Sequence, residues 1–268
     1  MPTPLRVPIF DDLVPGGFTN SANYVVEFES NSLWYETSLT IAVQALRAGL
    51  RTQYHTFMHI PSEVRRELEK IGADSRKLES EDRFRLIDSY TRLTGLPIQP
   101  EPGTLFGRSS GSLNDPAFLE KYTANIVELM KTGAAEKDKG WLHIDDNTSI
   151  FNRYFKEEDV VNIVHTRIFP ETRFLELCVF HSVVSGVFSE GFYKQMEAVC
   201  DGVLDFRTEE SDGRLENFVR VRTLRGRSCD SRWRRLRINA IGEVTLDRRD
   251  EKKREIGISG WLKGPKKN

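Results

Sequence analysis

The sequence predicts an α/β fold with a largely parallel central sheet flanked by helices and further β strands at the C-terminal end. Apolar strand-like runs alternate with amphipathic helix-like runs along the 268-residue chain, which is typical of this fold class. Apolar residues make up 38% of the chain and charged residues 29%, so a globular core is expected rather than disorder. We find neither an internal repeat nor a low-complexity block.

The predicted strands are short apolar runs, rich in β-branched and aromatic residues and bounded by turn residues. In the α/β part of the chain they cover residues 24–28, 51–57, 83–88, 141–146 and 174–180. The C-terminal part is richer in strands, which we predict at residues 202–206, 217–223, 233–238 and 242–246. This change of pattern indicates a β extension that follows the alternating strands and helices.

Apolar residues at helical spacing predict the helices between these strands. The first helix places Leu39, Ala42, Val43 and Leu46 on one face, and Gly49 follows where a C-cap is expected. Further helices are expected at residues 61–70, 118–130, 157–169 and 192–198.

Turn residues set the ends of several elements. Pro61 suits the first position of a helix, and Gly72 would end that helix. Asn114 or Asp115 could cap the helix that begins near residue 118. Residues 96–112 are rich in Pro and Gly and are expected to form a long loop, not a domain boundary, because strand and helix patterns resume on both sides.

We therefore expect one domain over residues 1–247, followed by a charged tail over residues 248–268 that is poorly ordered at its end. The net charge of −1 gives no global field that would attract nucleic acid or acidic membranes. No apolar run approaches the roughly 20 residues of a membrane helix, and the N-terminus lacks a signal-like stretch, so we expect a cytoplasmic protein. Cys178, Cys200 and Cys229 lack zinc-site spacing and are interpreted as small core residues.

Five segments carry a family resemblance, and they occur along the chain in the family's order. They cover residues 13–18, 83–90, 142–149, 198–207 and 221–226. In sequence they contain LVPGGF, RFRLIDSY, LHIDDNTS, AVCDGVLDFR and VRTLRG. Together they resemble the archaeal KaiC-like and RadA-like branch of the RecA superfamily, which implies a RecA-like P-loop NTPase fold. The third segment is similar to the Walker B strand of the family, with Asp145 at the position of its magnesium-binding aspartate.

The phosphate-binding loop of that family is missing from this sequence. Such a loop needs glycines so that backbone N–H groups can crowd around phosphates, a lysine for the β- and γ-phosphates, and a hydroxyl for magnesium. No glycine lies between Gly17 and Gly49, and no lysine precedes Lys70. By alignment Ser38 stands near the lysine of the family and Leu39 near its hydroxyl. The resemblance thus makes Thr37, Ser38 and Asp145 vestigial nucleotide-binding residues.

The same junction carries residues that are unfavourable for phosphate. Glu29 and Glu36 add negative charge, and Trp34 and Tyr35 are expected to fill the space that phosphates occupy in active relatives. The paired glutamates that activate water in hydrolysing members are matched here by Met58 and His59. Methionine cannot accept a proton, and a histidine in a loop is more often a surface residue.

Two interpretations of the acidic pair at residues 145 and 146 are possible. The resemblance gives Asp145 a magnesium role, but without the loop hydroxyl we favour a structural one, in which Asp145 and Asp146 bond the backbone of the following turn. His143 alternates with Leu142 and Ile144 and is expected to face a helix. No catalytic residue and no metal ligand is predicted.

Arginines are concentrated near the C-terminal end of the predicted domain. They are Arg220, Arg222, Arg225, Arg227, Arg232, Arg234, Arg235 and Arg237. Arg222, Arg225 and Arg227 are candidates for a subunit interface. In the family that this sequence resembles, a Lys and an Arg of the matching strand reach the γ-phosphate of a neighbouring subunit. Only Arg225 matches that pair here. A nucleic-acid surface and a solvated sheet edge, neutralised by upstream acids, are the other interpretations.

The sequence thus indicates a pseudo-ATPase with a regulatory or scaffolding role. We expect it to bind a protein partner, an active paralogue or a second copy of itself. It is expected to need no cofactor. The alternative is an atypical ATP-binding ATPase of the RecA family that uses ATP and magnesium through Thr37, Ser38, Asp145 and Arg225 and is associated with DNA.

Overall fold

The strand patterns assemble into one ten-stranded sheet in the computed structural model, which describes residues 4–94, 105–106, 117–134 and 141–247. The α/β part supplies β1 (Ala22–Phe28), β2 (Thr52–Thr56), β3 (Phe84–Asp88), β4 (Leu105–Phe106), β5 (Leu142–Asp145), β6 (Cys178–Val184) and β7 (Gly202–Ser211). The C-terminal strands are β8 (Arg214–Leu224), β9 (Arg234–Ile238) and β10 (Val244–Leu246). The predicted tail lies outside the described residues.

The sheet is parallel through its α/β part and antiparallel at its C-terminal end. Its strand order is β10-β9-β8-β7-β1-β6-β5-β2-β3-β4. All pairs from β7 to β4 are parallel, whereas β7–β8, β8–β9 and β9–β10 are antiparallel. The predicted fold class, a largely parallel sheet with helices on its faces and added C-terminal strands, is confirmed.

Eight α-helices connect and cover the strands in the described part of the chain. They are α1 (Trp34–Arg47), α2 (Pro61–Lys70), α3 (Ser75–Ser80), α4 (Tyr90–Thr94), α5 (Phe118–Ala134), α6 (Glu157–Ile163), α7 (Phe169–Phe174) and α8 (Glu190–Val199). Among these and the other described helices, none combines the length and the apolar character needed to cross a bilayer.

The two faces of the sheet bury separate sets of side chains. On the first face, Tyr24, Val26 and Phe180 pack with the apolar residues of α1 and α2. On the second face, Val25, Val179 and Val183 pack beneath α5, α6 and α8. Because successive residues of a strand point to opposite faces, each functional side chain can be assigned to one face by its position.

Most predicted elements are present with small changes at their ends. α2 has the predicted bounds, because Pro61 opens it and Gly72 takes a φ of +86° just beyond it. The helix predicted over residues 157–169 is interrupted by a π-helical segment at Val164–Ile168, and α7 continues it.

The strand predicted at residues 174–180 is wrong at its beginning. Phe174 ends α7 and is 77% exposed, and Glu176 adopts a left-handed φ of +57° before β6 begins at Cys178. Part of the predicted 96–112 loop, Leu105–Phe106, pairs with β3, while its other residues and the proposed caps Asn114 and Asp115 lie outside the described residues.

Candidate functional site

Trp34 occupies the junction between β1 and α1, where the sequence lacks a phosphate loop. It is the first residue of α1 and is only 1% exposed. Its indole packs against Phe28 and Phe206, with ring centroids 6.2 and 5.2 Å away, and its Nε1–H donates to the backbone oxygen of Asp146 at 2.9 Å. The large ring therefore contacts the end of β1 and the middle of β7, and it bonds to the residue that follows β5.

Tyr35 and His59 form the next layer of the junction. Their rings are stacked with centroids 3.8 Å apart, and His59 Nδ1 lies 3.3 Å from Asp146 Oδ2. The Asp146 carboxylate also accepts from Thr56 Oγ1 at 2.9 Å and from the Phe57 backbone N–H at 2.7 Å. His59, expected at the surface, is thus tied to the end of β5.

The hydroxyls of Thr37 and Ser38 are buried inside the protein. Thr37 Oγ1 donates to the Leu33 backbone oxygen at 2.6 Å. Ser38 Oγ lies 2.7 Å from the Tyr35 backbone oxygen and 2.8 Å from the Tyr54 hydroxyl. Their vestigial nucleotide role stays a prediction, and here both hydroxyls bond within their own chain.

The turn-bonding interpretation of Asp145 and Asp146 is corrected by their hydrogen bonds. Both carboxylates bond to groups on neighbouring strands and on the segment after β2. Asn147 caps the following 3₁₀ turn instead, because its Oδ1 accepts from the Ser149 N–H at 2.9 Å. Asp146 lies beside α1, whereas Asp145 and His143 point to the second face of the sheet, away from the junction.

On that second face, three histidines surround Asp145. His55 on β2, His143 on β5 and His181 on β6 lie on three adjacent parallel strands. Asp145 Oδ1 is 3.1 Å from His55 Nδ1 and 3.0 Å from His143 Nε2, and its Oδ2 is 2.8 Å from His181 Nδ1. We call these four residues the histidine cluster.

A layer of polar side chains contacts the outer nitrogens of the histidine cluster. His55 Nε2 is 2.5 Å from Ser89 Oγ, which bonds the hydroxyl of Tyr122. His143 Nδ1 is 3.0 Å from Gln53 Oε1, and His181 Nε2 is 3.1 Å from Asn23 Oδ1. Each imidazole therefore has a partner on both sides, which fixes its ring.

Burial and hydrogen bonding set the charges in this cluster. Burial opposes ionisation of Asp145, but the three histidines outweigh it and hold the pKa of this carboxyl well below its usual range. Burial lowers the pKa of His55, although the hydrogen bond and the negative charge of Asp145 act to raise it. The cluster thus contains a buried carboxylate anion beside a neutral His55 at neutral pH.

A cavity of about 70 Å³ lies against the histidine cluster. His55, Asp145 and His181 contribute polar groups to its wall. The rest of its lining is mostly apolar and comes from α5, α6, the π-helical segment and α8, including Leu119, Ile126, Val160, Ile168 and Phe192. A water molecule needs only ~10–15 Å³ of such space, so the cavity can admit one or more small molecules beside the cluster.

The arginines proposed for an interface bond within their own chain. Arg222 contacts Glu27 at 2.6 Å, Glu197 at 2.8 Å and Asp205 at 3.0 Å. Arg225 donates to the Ala198 backbone oxygen at 2.7 Å, and Arg227 donates to that of Gly17 at 2.6 Å. As predicted, the valines of β8 face the core while the arginines between them face the other side.

Glu27, which pairs with Arg222, makes the stability of the fold depend on pH. Burial raises the pKa of Glu27 to about 7. Arg222 opposes this rise, and the negative charges of Asp205 and Glu197 add to it. A carboxyl with a raised folded-state pKa stabilises the fold below its unfolded value of 4.5, and this contribution is lost as the pH rises through 7.

We therefore expect Glu27→Gln to become progressively more stable than the wild type, by about 1–3 kcal/mol, as the pH rises from 5 to 8. Urea denaturation at several pH values measures this difference. Glu210→Gln, which changes an exposed carboxyl on β7, is the matched control and should keep the wild-type pH dependence. A constant offset between Glu27→Gln and the wild type would contradict the assignment.

Sequence reasoning missed the histidine cluster as a unit. It named Asp145 and His143 but gave no role to His55 or His181. His55 and His143 lie in predicted strands, and all three histidines of the cluster lie in observed strands. The placement of His55 and His143 in strands is visible in the sequence, but the strand position of His181 and the adjacency of the three strands are not.

Comparisons with known proteins identify the fold. No family model matches the chain, and no curated protein matches it in sequence. Among solved structures it is similar to the crystal structure of the KaiC-like protein PH0186 from the hyperthermophilic archaeon Pyrococcus horikoshii OT3, with a TM-score of 0.69 and 17% identity. The match covers 92% of this chain and 99% of that one. This protein thus shares the α/β fold of that KaiC-like protein.

Proposed function

We propose that this protein is a KaiC-like pseudo-ATPase that acts by binding a protein partner, in a regulatory or scaffolding role, without hydrolysing ATP. The observation that carries the proposal is the junction between β1 and α1. The indole of Trp34 is buried there, among residues that contain neither glycine nor lysine.

The local geometry supports the loss of phosphate binding. A phosphate loop presents several free backbone N–H groups and a flexible lysine to the ligand. Here Glu29 accepts from the backbone N–H and hydroxyl of Thr208 at 2.8 and 2.7 Å, which holds a carboxylate at the end of β1. An anionic triphosphate at this end would meet that charge and the ring of Trp34.

Among the described residues, the two that match the glutamates of the family, Met58 and His59, are not placed to act as a base for ATP hydrolysis. Met58 cannot accept a proton, and His59 is stacked on Tyr35 with its Nδ1 directed at Asp146. Asp145, at the family's magnesium position, is surrounded by histidines on the other face of the sheet. These contacts support a domain that retains the fold of an ATPase but not its chemistry.

The proposal predicts no ATP hydrolysis and no thermal stabilisation by millimolar Mg-ATP. A ligand present at 100 times its Kd would add about 2.7 kcal/mol, so binding of even moderate affinity would raise the melting temperature. Thermal unfolding with and without Mg-ATP, together with phosphate release, is the measurement. A rise in melting temperature that Asp145→Asn abolishes would establish the alternative, an atypical ATP-binding ATPase.

The partner is inferred to be an active paralogue or a second copy of the chain, contacted through the surface around Arg225. Charged contacts of this kind contribute mainly specificity and association rate, and they weaken with salt. We expect self-association or paralogue binding at low salt, and Arg225→Glu should weaken it. Mass in solution at several salt concentrations tests this.

A wild type that stays monomeric at high concentration and binds no paralogue would remove the interface hypothesis. DNA binding in a filter assay whose affinity falls steeply with salt would then favour the nucleic-acid interpretation of the arginines.

A further inference from the structure

We propose that the histidine cluster is a binding site for one zinc-class transition-metal ion, held by His55, His143 and Asp145. This inference does not rest on the proposed function, because the site lies on the second face of the sheet and involves no nucleotide. Magnesium is not the expected ion, since imidazole nitrogens favour zinc, copper, nickel and iron over the hard cations.

The donor atoms lie close to the spacing that such an ion needs. The ligand atoms of His55, His143 and Asp145 all lie within 4.8 Å of one another. A tetrahedral zinc ion with bonds of ~2.0–2.2 Å holds its ligand atoms about 3.3 Å apart. Asp145 Oδ1 lies 3.1 and 3.0 Å from the two imidazole nitrogens, so a small outward movement of the rings would seat the ion between them.

Parallel strand pairing fixes this arrangement. His55 lies directly opposite Asp145 in the β2–β5 register, and Gln53 lies opposite His143. His143 and Asp145 are two residues apart on one strand and therefore share a face. The three ligands thus come from the rigid centre of a sheet, where little ordering is required when a metal binds.

The outer contacts match those of metal-binding histidines, which donate their second N–H to a nearby oxygen. If His143 binds the metal through Nε2, its Nδ1–H can donate to Gln53 Oε1, which is 3.0 Å away. If His55 binds through Nδ1, its Nε2–H can donate to Ser89 Oγ at 2.5 Å. His181 lies 2.8 Å from the second oxygen of Asp145 and would act as a positioning residue that directs Oδ1 to the metal.

Charge and space also favour a cation at this point. The Asp145 carboxyl is buried among three imidazoles, and a divalent ion would gain a carboxylate ligand there in an environment of low dielectric constant. The adjacent cavity of about 70 Å³ leaves room for a water or a small anion as the fourth ligand. Three protein ligands and one open position are typical of zinc sites that bind a small molecule.

The experiment uses the untagged full chain, stripped of metal with a chelator and then dialysed against Zn²⁺ or Co²⁺. We expect one metal ion per chain, visible absorption bands of tetrahedral Co²⁺, and a melting temperature that rises with metal concentration. His55→Gln and His143→Gln should each weaken binding at least about 100-fold, since even the loss of an outer contact costs about 10- to 100-fold. His59→Gln, which changes a histidine outside the cluster, should bind like the wild type.

X-ray absorption of the wild-type zinc complex tests the ligands without any variant. We expect nitrogen and oxygen neighbours with the scattering of two imidazoles. Less than about one-tenth of an equivalent of bound metal in the wild type, a sulfur neighbour, or undiminished binding by both cluster variants would overturn the proposal. In the first case the histidine cluster is a metal-free hydrogen-bond network.

Discussion

Replacement of Trp34 by alanine is expected to lower the free energy of unfolding by about 3–5 kcal/mol, the range typical for loss of a buried tryptophan. The indole packs against Phe28 and Phe206 and bonds the backbone of Asp146, so its removal leaves a cavity and an unpaired carbonyl. Urea denaturation monitored by circular dichroism measures the loss.

Two variants make this expectation specific to the junction. Trp34→Phe keeps much of the ring packing but loses the Nε1–H donor, and it should cost less than the alanine variant. Trp233→Ala removes a half-buried ring that lies under Arg207 and Arg220, for which a cost nearer to 1 kcal/mol is expected. If Trp34→Ala costs no more than Trp233→Ala, Trp34 does not fill the junction as described.

Loss of the Asp145 side chain is expected to have an effect of similar size. Asp145→Ala would leave three enclosed imidazoles without their common acceptor, and breaking a buried charge network in this way costs about 3–5 kcal/mol. The measurement is urea denaturation in buffer that contains a chelator, so that it reports the network alone and not any bound metal.

Asp145→Asn retains one acceptor oxygen and should cost less than the alanine variant. The matched control is Glu190→Ala, because Glu190 pairs with Lys194 on the exposed surface of α8 and should contribute well under 1 kcal/mol. If Asp145→Ala is as stable as the wild type, the three histidines find their hydrogen-bond partners in other groups.

The fold was predictable from this sequence because local patterns and tertiary structure agree over most of the chain. The helix α2 begins at Pro61 and ends before Gly72, as their backbone preferences require. The start of β6 was not predictable in the same way. Phe174 and Leu175 have the side chains of a strand, but the left-handed backbone of Glu176 separates them from it, and a non-glycine residue gives little sign of such a conformation.

The site was predictable only in part, for a topological reason. The phosphate loop is recognised by residues close together in sequence, so its loss is visible without a structure. The histidine cluster joins residues 55, 143 and 181, and its existence depends on β2, β5 and β6 being neighbours in the sheet. Strand order is a long-range property that periodicity and propensity do not encode, and for this reason the sequence alone predicts that Asp145 bonds the turn after its strand.

The position of β1 has a consequence for how the chain folds as it is synthesised. β1 is the first of the ten strands in chain order, yet its two neighbours are β6 and β7, and Ala22 pairs with Cys178. β2 and β3 lie close in sequence and can pair early, whereas both edges of β1 stay open until the ribosome has made most of the domain. Until β6 and β7 are made, the side chains of Tyr24, Val25 and Val26, which are buried in the folded sheet, lack their partner strands, and this makes the segment prone to aggregation in the nascent chain.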